Sequence, residues 1–291
     1  MSEVQTKKSG LLVTAIIVVI LAALTPYIND TYRSLSQELL KKQLQVSVVE
    51  DFLKDPDFIA KVNNKTLWEA CDKITSASES RFWYYPENEP NNIFEELTVK
   101  IYKDTPYWKQ ATAYEYWCNI NDSSMRSGGV VWHTDRDEEV LAREHKLVFP
   151  IMGAVFYGYN ETYEGGDFHI IDSIAFKRGS RSAEYTDRCD DKYGFCVSNY
   201  NFFSSNLANE ALFVNTKFNT LLYANVTHFH KADRVLSGRR YALAVNANGR
   251  RPKNIEQAPS DDEMAIKAKG PLGNTVKTYE SLSIRLGEAF V

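Results

Sequence analysis

From residue 98 onward the sequence is broken into short apolar stretches: "TVKIY", "EYWCNI", "GVVWH", "KLVFPIMGAVFYGY", "DFHIID", "TLLYANV" and "RYALAVNAN". Each is rich in β-branched and aromatic residues, and turn residues separate them. Short strands at this spacing suggest an antiparallel barrel or sandwich. With 44% hydrophobic and 13% aromatic residues in a chain of 291, the material for one sizeable core is present.

Ahead of the strands the pattern is mixed. "VSVVEDFL", Val46 to Leu53, alternates as a strand does. Asp55 is placed to cap a helix with Pro56 in its first turn. Phe58, Ile59, Val62, Leu67, Ala70, Cys71 and Ile74 then recur at helical spacing, which predicts one helix. The predicted class is mainly β with flanking helices, α+β. Residues 173–213 interrupt the strands without clear periodicity, and a stretch of that length is usually functional or disordered. The polar tail from 249 to 291 is expected on the surface.

The N-terminus points to a membrane. Leu11 to Leu24 carries no charge, and Lys7 and Lys8 precede it. Extended over 10–28 the segment approaches the ~20 residues of a span. A cleaved signal peptide is the competing reading, but Ala23 has Leu21 two residues before it, a poor cleavage pattern. The expectation is a cytosolic tail 1–9, a signal anchor 10–28 and a stem 29–45. The chain would then be a single-pass type II membrane protein of the ER or Golgi, with its main domain in the lumen. Sequons at Asn29, Asn64, Asn121, Asn160 and Asn225 agree, each weak alone. Four cysteines permit disulfides in that compartment. Cys189–Cys196 is the favoured bridge, leaving Cys71 with Cys118; four buried free thiols is the alternative. A net charge of −4 argues against a nucleic-acid partner.

The chain has only five histidines, and "VVWHTDRDEE" places His133 two residues before Asp135. On a strand, residues two apart face one side, so an imidazole and a carboxylate would converge. With a second histidine from elsewhere they make the 2-His-1-carboxylate set that leaves positions open on a non-heme Fe(II). A solvated pair, or a turn capped by aspartate, has the same spacing. Further on, "LLYANVTHFHKADRVLSGRRYALAV" holds His228 and His230 between two strands, then Gly238-x-Arg240-Tyr241. "YEGGDFHI" puts Gly165 and Gly166 ahead of another strand.

In these residues the chain resembles the 2-oxoglutarate/Fe(II)-dependent dioxygenases, most closely their prolyl 4-hydroxylase branch. The shared pattern is H-x-D, a glycine pair opening a strand, then H followed by G-x-R on the next strand. The opening "VSVVEDFLKDPDF" is similar as well, and the resemblance spans roughly 46–248. It implies a double-stranded β-helix, or jelly-roll barrel, using Fe(II), 2-oxoglutarate and O2, with ascorbate as a candidate reductant. His133, Asp135 and His230 would hold iron, and Arg240 would pair with the distal carboxylate of 2-oxoglutarate.

Several residues compete for these roles. Arg239 is the alternative to Arg240, and strand alternation admits only one of them to the interior. His228 is the alternative to His230, which better fits the ten-residue step to Arg240. Tyr157 is a candidate hydrogen-bond donor to 2-oxoglutarate, against a core role; Tyr116 is a weaker candidate, and His169 reads as an ordinary strand residue. Two departures from the branch concern the substrate: the 173–213 insert, and "KADRV" where a proline often follows the second histidine. Halogenating relatives replace the carboxylate with a small residue, so Asp135 favours hydroxylation.

The expected partner is a protein or peptide substrate, with peptidyl proline first and peptidyl lysine or a small molecule next. A metal-free binding module on the same scaffold, or a cupin-like metalloenzyme without a cosubstrate, are the rival expectations.

Overall fold

The computed structural model describes residues 39, 41–42, 44–77, 81–124, 129–137, 140, 148–171, 211–252 and 258–269. The expected anchor at 10–28, most of the stem, the Cys189–Cys196 bridge and residues 173–210 of the expected insert lie outside them. Among the described residues no helix is long and apolar enough to cross a membrane. Leu44–Val291 forms one compact unit.

The expected first helix is two. α1 is Pro56–Val62, capped by Asp55, whose carboxylate accepts from the Asp57 and Phe58 amides. At Asn63 the backbone leaves helical geometry, with ψ at 46°. α2, Lys65–Ala77, then starts afresh. The Trp68 indole donates to the Val62 carbonyl at 2.8 Å and ties the two helices across the corner. "TVKIY" is a second correction, because it ends helix α3, Ile93–Tyr102. Its β-branched residues suggest a strand only when read alone. With the residues before them, Ile93, Phe94, Leu97, Thr98, Ile101 and Tyr102 follow the helical period and are all buried. Asn92 caps this helix through the Phe94 and Glu95 amides, both at 3.0 Å.

Among the described residues the strands form two larger sheets and a ribbon. The six-stranded sheet contains β1 (Ser47–Val49), β2 (Phe82–Tyr84), β3 (Ala113–Asp122), β5 (Met152–Tyr157), β9 (Thr220–Ala224) and β12 (Arg239–Asn248). Their order is β1-β9-β5-β12-β3-β2. The four-stranded sheet contains β4 (Val130–His133), β7 (Phe168–Ile171), β8 (Leu212–Val214) and β10 (Phe229–Ala232), in the order β4-β10-β7-β8. β6 (Glu164–Gly165) and β11 (Val235–Ser237) pair as the ribbon. All pairings are antiparallel, and the chain passes repeatedly from one large sheet to the other, as in a jelly roll. Among the described residues the sheets are not hydrogen-bonded into a closed barrel. β8 pairs with β7, so the last residues of the expected 173–213 insert are sheet rather than loop. The strands expected over 46–53 and 146–159 are shorter than their apolar runs, ending at Val49 and starting at Met152.

Alternation along β3 and β12 separates two environments. Tyr114, Tyr116 and Cys118 on β3, with Tyr241, Leu243, Val245 and Ala247 on β12, join the main core alongside Trp68, Phe94, Leu97, Ile101 and Tyr102 from the helices. The disulfide Cys71–Cys118 ties α2 to β3 within this core.

The tail expected on the surface contributes to that core. Ala258 and Met264 are buried in it, the latter on α4, Asp261–Lys269. The loop before α3 holds the segment in place. Asn91 donates to the Ala258 carbonyl, Asn92 donates to the Pro259 carbonyl, and the Ile93 amide donates to Asp261. Met264 is the only buried residue of α4, so its sequence carries no apolar stripe to announce the contact.

Candidate metal centre and cosubstrate pocket

The opposite faces of β3 and β12 line a cavity between the two large sheets. β12 contributes Arg240, Ala242, Ala244 and Asn246, and β3 contributes Trp117 and Asn119. Alternation alone accounts for this selection. The small alanines leave room in the middle, and the polar groups sit at the two ends of the strand's inward face.

One end gathers His133, Asp135 and His230. β4 and β10 pair so that His133 and His230 lie directly opposite, with ring centroids 4.3 Å apart. Asp135 follows β4, and its amide donates to the Val226 carbonyl at 3.1 Å. Its Oδ1 lies 3.3 Å from His133 Nε2 and 3.7 Å from His230 Nε2. The three side chains offer one ligand atom each, all within 4.8 Å of one another, and the group could hold a metal ion.

The surroundings hold these groups in ligand form. His230 Nδ1 lies 3.0 Å from the His228 carbonyl oxygen. A carbonyl can only accept, so Nδ1 carries the proton and Nε2 presents its lone pair to the cluster. Burial, aided by the neighbouring His133, lowers the His230 pKa to about 4, so the ring is neutral at physiological pH. Burial opposes ionisation of Asp135. The two histidines and a hydrogen bond from Asn246 outweigh it and keep the carboxyl well below its usual range. A neutral imidazole and an ionised carboxylate are the forms that bind a divalent cation.

The other end holds Arg240, 2% exposed. Its Nη1 donates to the Gly166 carbonyl at 2.6 Å, and its Nη2 donates to Asn121 Oδ1. Both acceptors are neutral. Among the described residues no carboxylate pairs with this guanidinium, and its buried Nε has no hydrogen-bond partner. A buried cation without a counter-charge is costly, and an anion entering the cavity would relieve the cost. Asn119 Oδ1 is likewise buried without a partner.

Gly166 makes this arrangement possible. Its φ is +75°, and a Cβ there would stand 3.1 Å from Arg240 Cδ. Arg239, the competing residue, points outward and pairs with Glu69 at 3.2 Å and Asp122 at 3.7 Å.

The remaining candidates divide clearly. Tyr157 lines the cavity, and burial raises its pKa against the nearby Arg240 charge, so the phenol stays a donor. Tyr116 lies on the core face, bonded to Asn92 and Glu95, away from the cavity. His228 contributes its carbonyl to the cluster through His230. His169 pairs with Asp233 at 2.6 Å and is no part of the metal cluster.

Two further residues, Asn121 and Asn246, belong to the site without being marked by any motif in the sequence. Asn246 was within reach, since it lies six residues beyond Arg240 and shares its parity. Asn121 faces Arg240 only because β3 pairs with β12, a long-range register that local pattern does not carry.

No family model matches the sequence, and no curated protein matches it. By structure the chain is similar to a prolyl-4-hydroxylase from Pseudomonas putida at 13% identity and TM-score 0.39, over 74% of this chain and 91% of that one. It is similar to HygX from Streptomyces hygroscopicus with nickel and 2-oxoglutarate bound at 11% identity and TM-score 0.39, over 78% and 97%. It is also similar to a 2OG-Fe(II) oxygenase family oxidoreductase from Burkholderia pseudomallei at 11% identity and TM-score 0.28, over 50% and 47%. At these values the likeness is weak, and the reading of the site rests on its own geometry.

Proposed function

We propose that this chain is an Fe(II)- and 2-oxoglutarate-dependent dioxygenase that hydroxylates a C–H bond. The observation that carries the reading is the pairing of two features in one cavity. A 2-His-1-carboxylate cluster lies at one end, and a buried guanidinium that no carboxylate pairs with among the described residues lies at the other. Such a cluster suits a non-heme Fe(II) with positions left open, and such a guanidinium suits a dicarboxylate whose far end needs an anchor. Neither a plain metal-binding module nor a cupin-like metalloenzyme without a cosubstrate has use for the second feature.

Bound there, Fe(II) and 2-oxoglutarate would supply the oxidising power for inserting one oxygen atom of O2 into a substrate C–H bond, with succinate and CO2 as the coproducts. The protein's part is to bind and orient. His133, Asp135 and His230 would hold the metal. Arg240 would hold the distal carboxylate through its fork of donors, fixed in advance by Gly166 and Asn121. Tyr157 is placed to donate a further hydrogen bond. Ala154, Phe168, Ala242 and Ala244 give the walls an apolar lining that limits water.

For the substrate we favour a peptidyl proline of a secretory-pathway protein, with peptidyl lysine or a small molecule as alternatives. The Cys71–Cys118 disulfide supports an oxidising compartment, and the exposed sequon residues Asn64 and Asn160 are compatible with a lumenal domain. The membrane anchor at 10–28 and the type II topology belong to the same proposal. The test is 2-oxoglutarate decarboxylation with Fe(II) and ascorbate, against a panel of proline- and lysine-containing peptides. Peptide-stimulated turnover with hydroxylated product is expected. A purified, iron-loaded protein that neither binds nor decarboxylates 2-oxoglutarate would sink the reading in favour of a binding module.

A further inference from the structure

We infer that Asn246 is a positioning residue that commits Asp135 to bind the metal through one oxygen only. This rests on the reading of His133, Asp135 and His230 as the metal ligands. Asn246 Nδ2 lies 3.0 Å from Asp135 Oδ2. The amide nitrogen is the group that faces the carboxylate, and it donates to Oδ2. Oδ2 is thereby engaged, while Oδ1 is the oxygen that faces both His133 Nε2 and His230 Nε2. The carboxylate is thus divided into an oxygen held by the protein and an oxygen presented to the cluster.

The packing around Asn246 keeps this division in place. Asn246 is 3% exposed, and its backbone lies in the middle strand of three, paired with Glu115 on one side and Gly153 on the other. Gly153 gives its side chain room, since a Cβ at that position would come within 3.1 Å of Asn246 Oδ1. The amide therefore sits on a rigid strand, against backbone, and aimed at Asp135. From the other side, the Val226 carbonyl holds the Asp135 amide.

The consequence concerns the number of open positions. A carboxylate that chelates through both oxygens takes a site that a chelating cosubstrate or O2 would need. With Oδ2 occupied by Asn246, three protein atoms would bind the metal and leave the remaining positions open. Partners that orient metal ligands in this way typically change metal affinity about 10–100-fold when removed.

The experiment uses the full chain with Co(II) as a spectroscopic probe in place of Fe(II). Affinity is read by titration, and coordination by the visible absorption of the bound ion. Asn246→Leu keeps the bulk and removes the donor, and Asn246→Ala guards against a packing failure of the leucine variant. Thermal unfolding of the metal-free proteins identifies the variant to be compared. The expected result is binding about 10–100-fold weaker, with a weaker visible band as Asp135 swings to chelate through both oxygens. Wild-type affinity and an unchanged spectrum in a folded variant would overturn the inference while leaving the metal site intact. Wild-type protein that fails to bind Co(II) at all would instead overturn the metal-site reading on which it rests.

Discussion

His230 Nδ1 rests 3.0 Å from the carbonyl oxygen of His228, and this contact separates the roles of two histidines that strand parity alone leaves equivalent. One supplies a ring nitrogen to the cluster, and the other holds that ring through its main-chain carbonyl. His230→Ala should therefore abolish stoichiometric Fe(II) or Co(II) binding, as should His133→Ala and Asp135→Ala. His228→Ala keeps the carbonyl and should retain most of the affinity, within a fewfold of wild type by titration. Full metal binding in His230→Ala, with loss in His228→Ala, would reverse the assignment.

Arg239 and Arg240 make a second such pair. Arg240 is buried in the cavity, whereas Arg239 faces solvent and its acidic partners. Losing one partner of a buried, hydrogen-bonded charge pair costs on the order of 2–5 kcal/mol, and about 2.8 kcal/mol is a hundredfold in affinity. Arg240→Ala should thus weaken 2-oxoglutarate binding roughly a hundredfold or more. Arg239→Ala removes an exposed pair worth about 0–1 kcal/mol and should leave cosubstrate affinity near wild type. Equilibrium binding of 2-oxoglutarate to the metal-loaded variants checks both.

How much of this was legible beforehand depended on the range of the signal. The strand–turn rhythm, the His133–Asp135 spacing and the opposite facing of Arg239 and Arg240 are local, and period-2 alternation carries them. What escaped was set by context. "TVKIY" looks like a strand until Asn92 caps the helix that contains it. Asn63 and Asn64 divide a helix whose apolar spacing runs straight across them. α4 docks through Met264, with Ala268 also packed against the core, and through amides of a loop more than 160 residues earlier, which no window of sequence contains. Asn121 opens a sequon in the sequence and is a hydrogen-bond partner of Arg240 in the fold.

That last reversal gives a prediction about modification. Asn121 is buried, with its side chain committed to the guanidinium, so a glycan there is incompatible with the folded site. Asn64 and Asn160 are exposed. If the domain is lumenal, site mapping of the secreted or membrane-extracted protein should find glycans at Asn64 or Asn160 and none at Asn121. Occupancy of Asn121 in catalytically competent protein would count against the pocket as described.

The Cys71–Cys118 bond should matter for stability rather than chemistry. It joins residues 47 apart in sequence. Constraining the unfolded chain over such a loop is worth about 4 kcal/mol in the chain-entropy account. Replacing both cysteines with serine should lower the unfolding free energy by roughly 2–4 kcal/mol, measured in denaturant. Metal binding by the remaining folded protein should be retained, because Cys71 and Cys118 lie on the core side of β3. Unchanged stability in the double mutant would show that the bond is not formed in solution.

Asp72 should give the fold a pH dependence of the less usual sign. It sits beside that disulfide on α2, and its Oδ1 accepts from the Ile120 amide at 2.9 Å. Burial raises its pKa to about 6, with that hydrogen bond opposing and Glu69 adding to the shift. The folded state therefore holds the proton more tightly than the unfolded chain, where an aspartate titrates near 3.9. Between those values the native protein carries a proton that the unfolded chain has lost. The stability contributed by Asp72 is complete below about pH 4, falls as pH rises, and is lost above about pH 6. The full change is on the order of 3 kcal/mol. Asp72→Asn preserves an oxygen for the Ile120 amide but cannot ionise. It should be more stable than wild type at pH 7.5, with the difference shrinking to near zero by pH 4. Denaturant unfolding of the two proteins across that range provides the measurement. A variant less stable than wild type at pH 7.5 would mean that the ionised carboxylate is favoured in the fold and that burial does not dominate at this position.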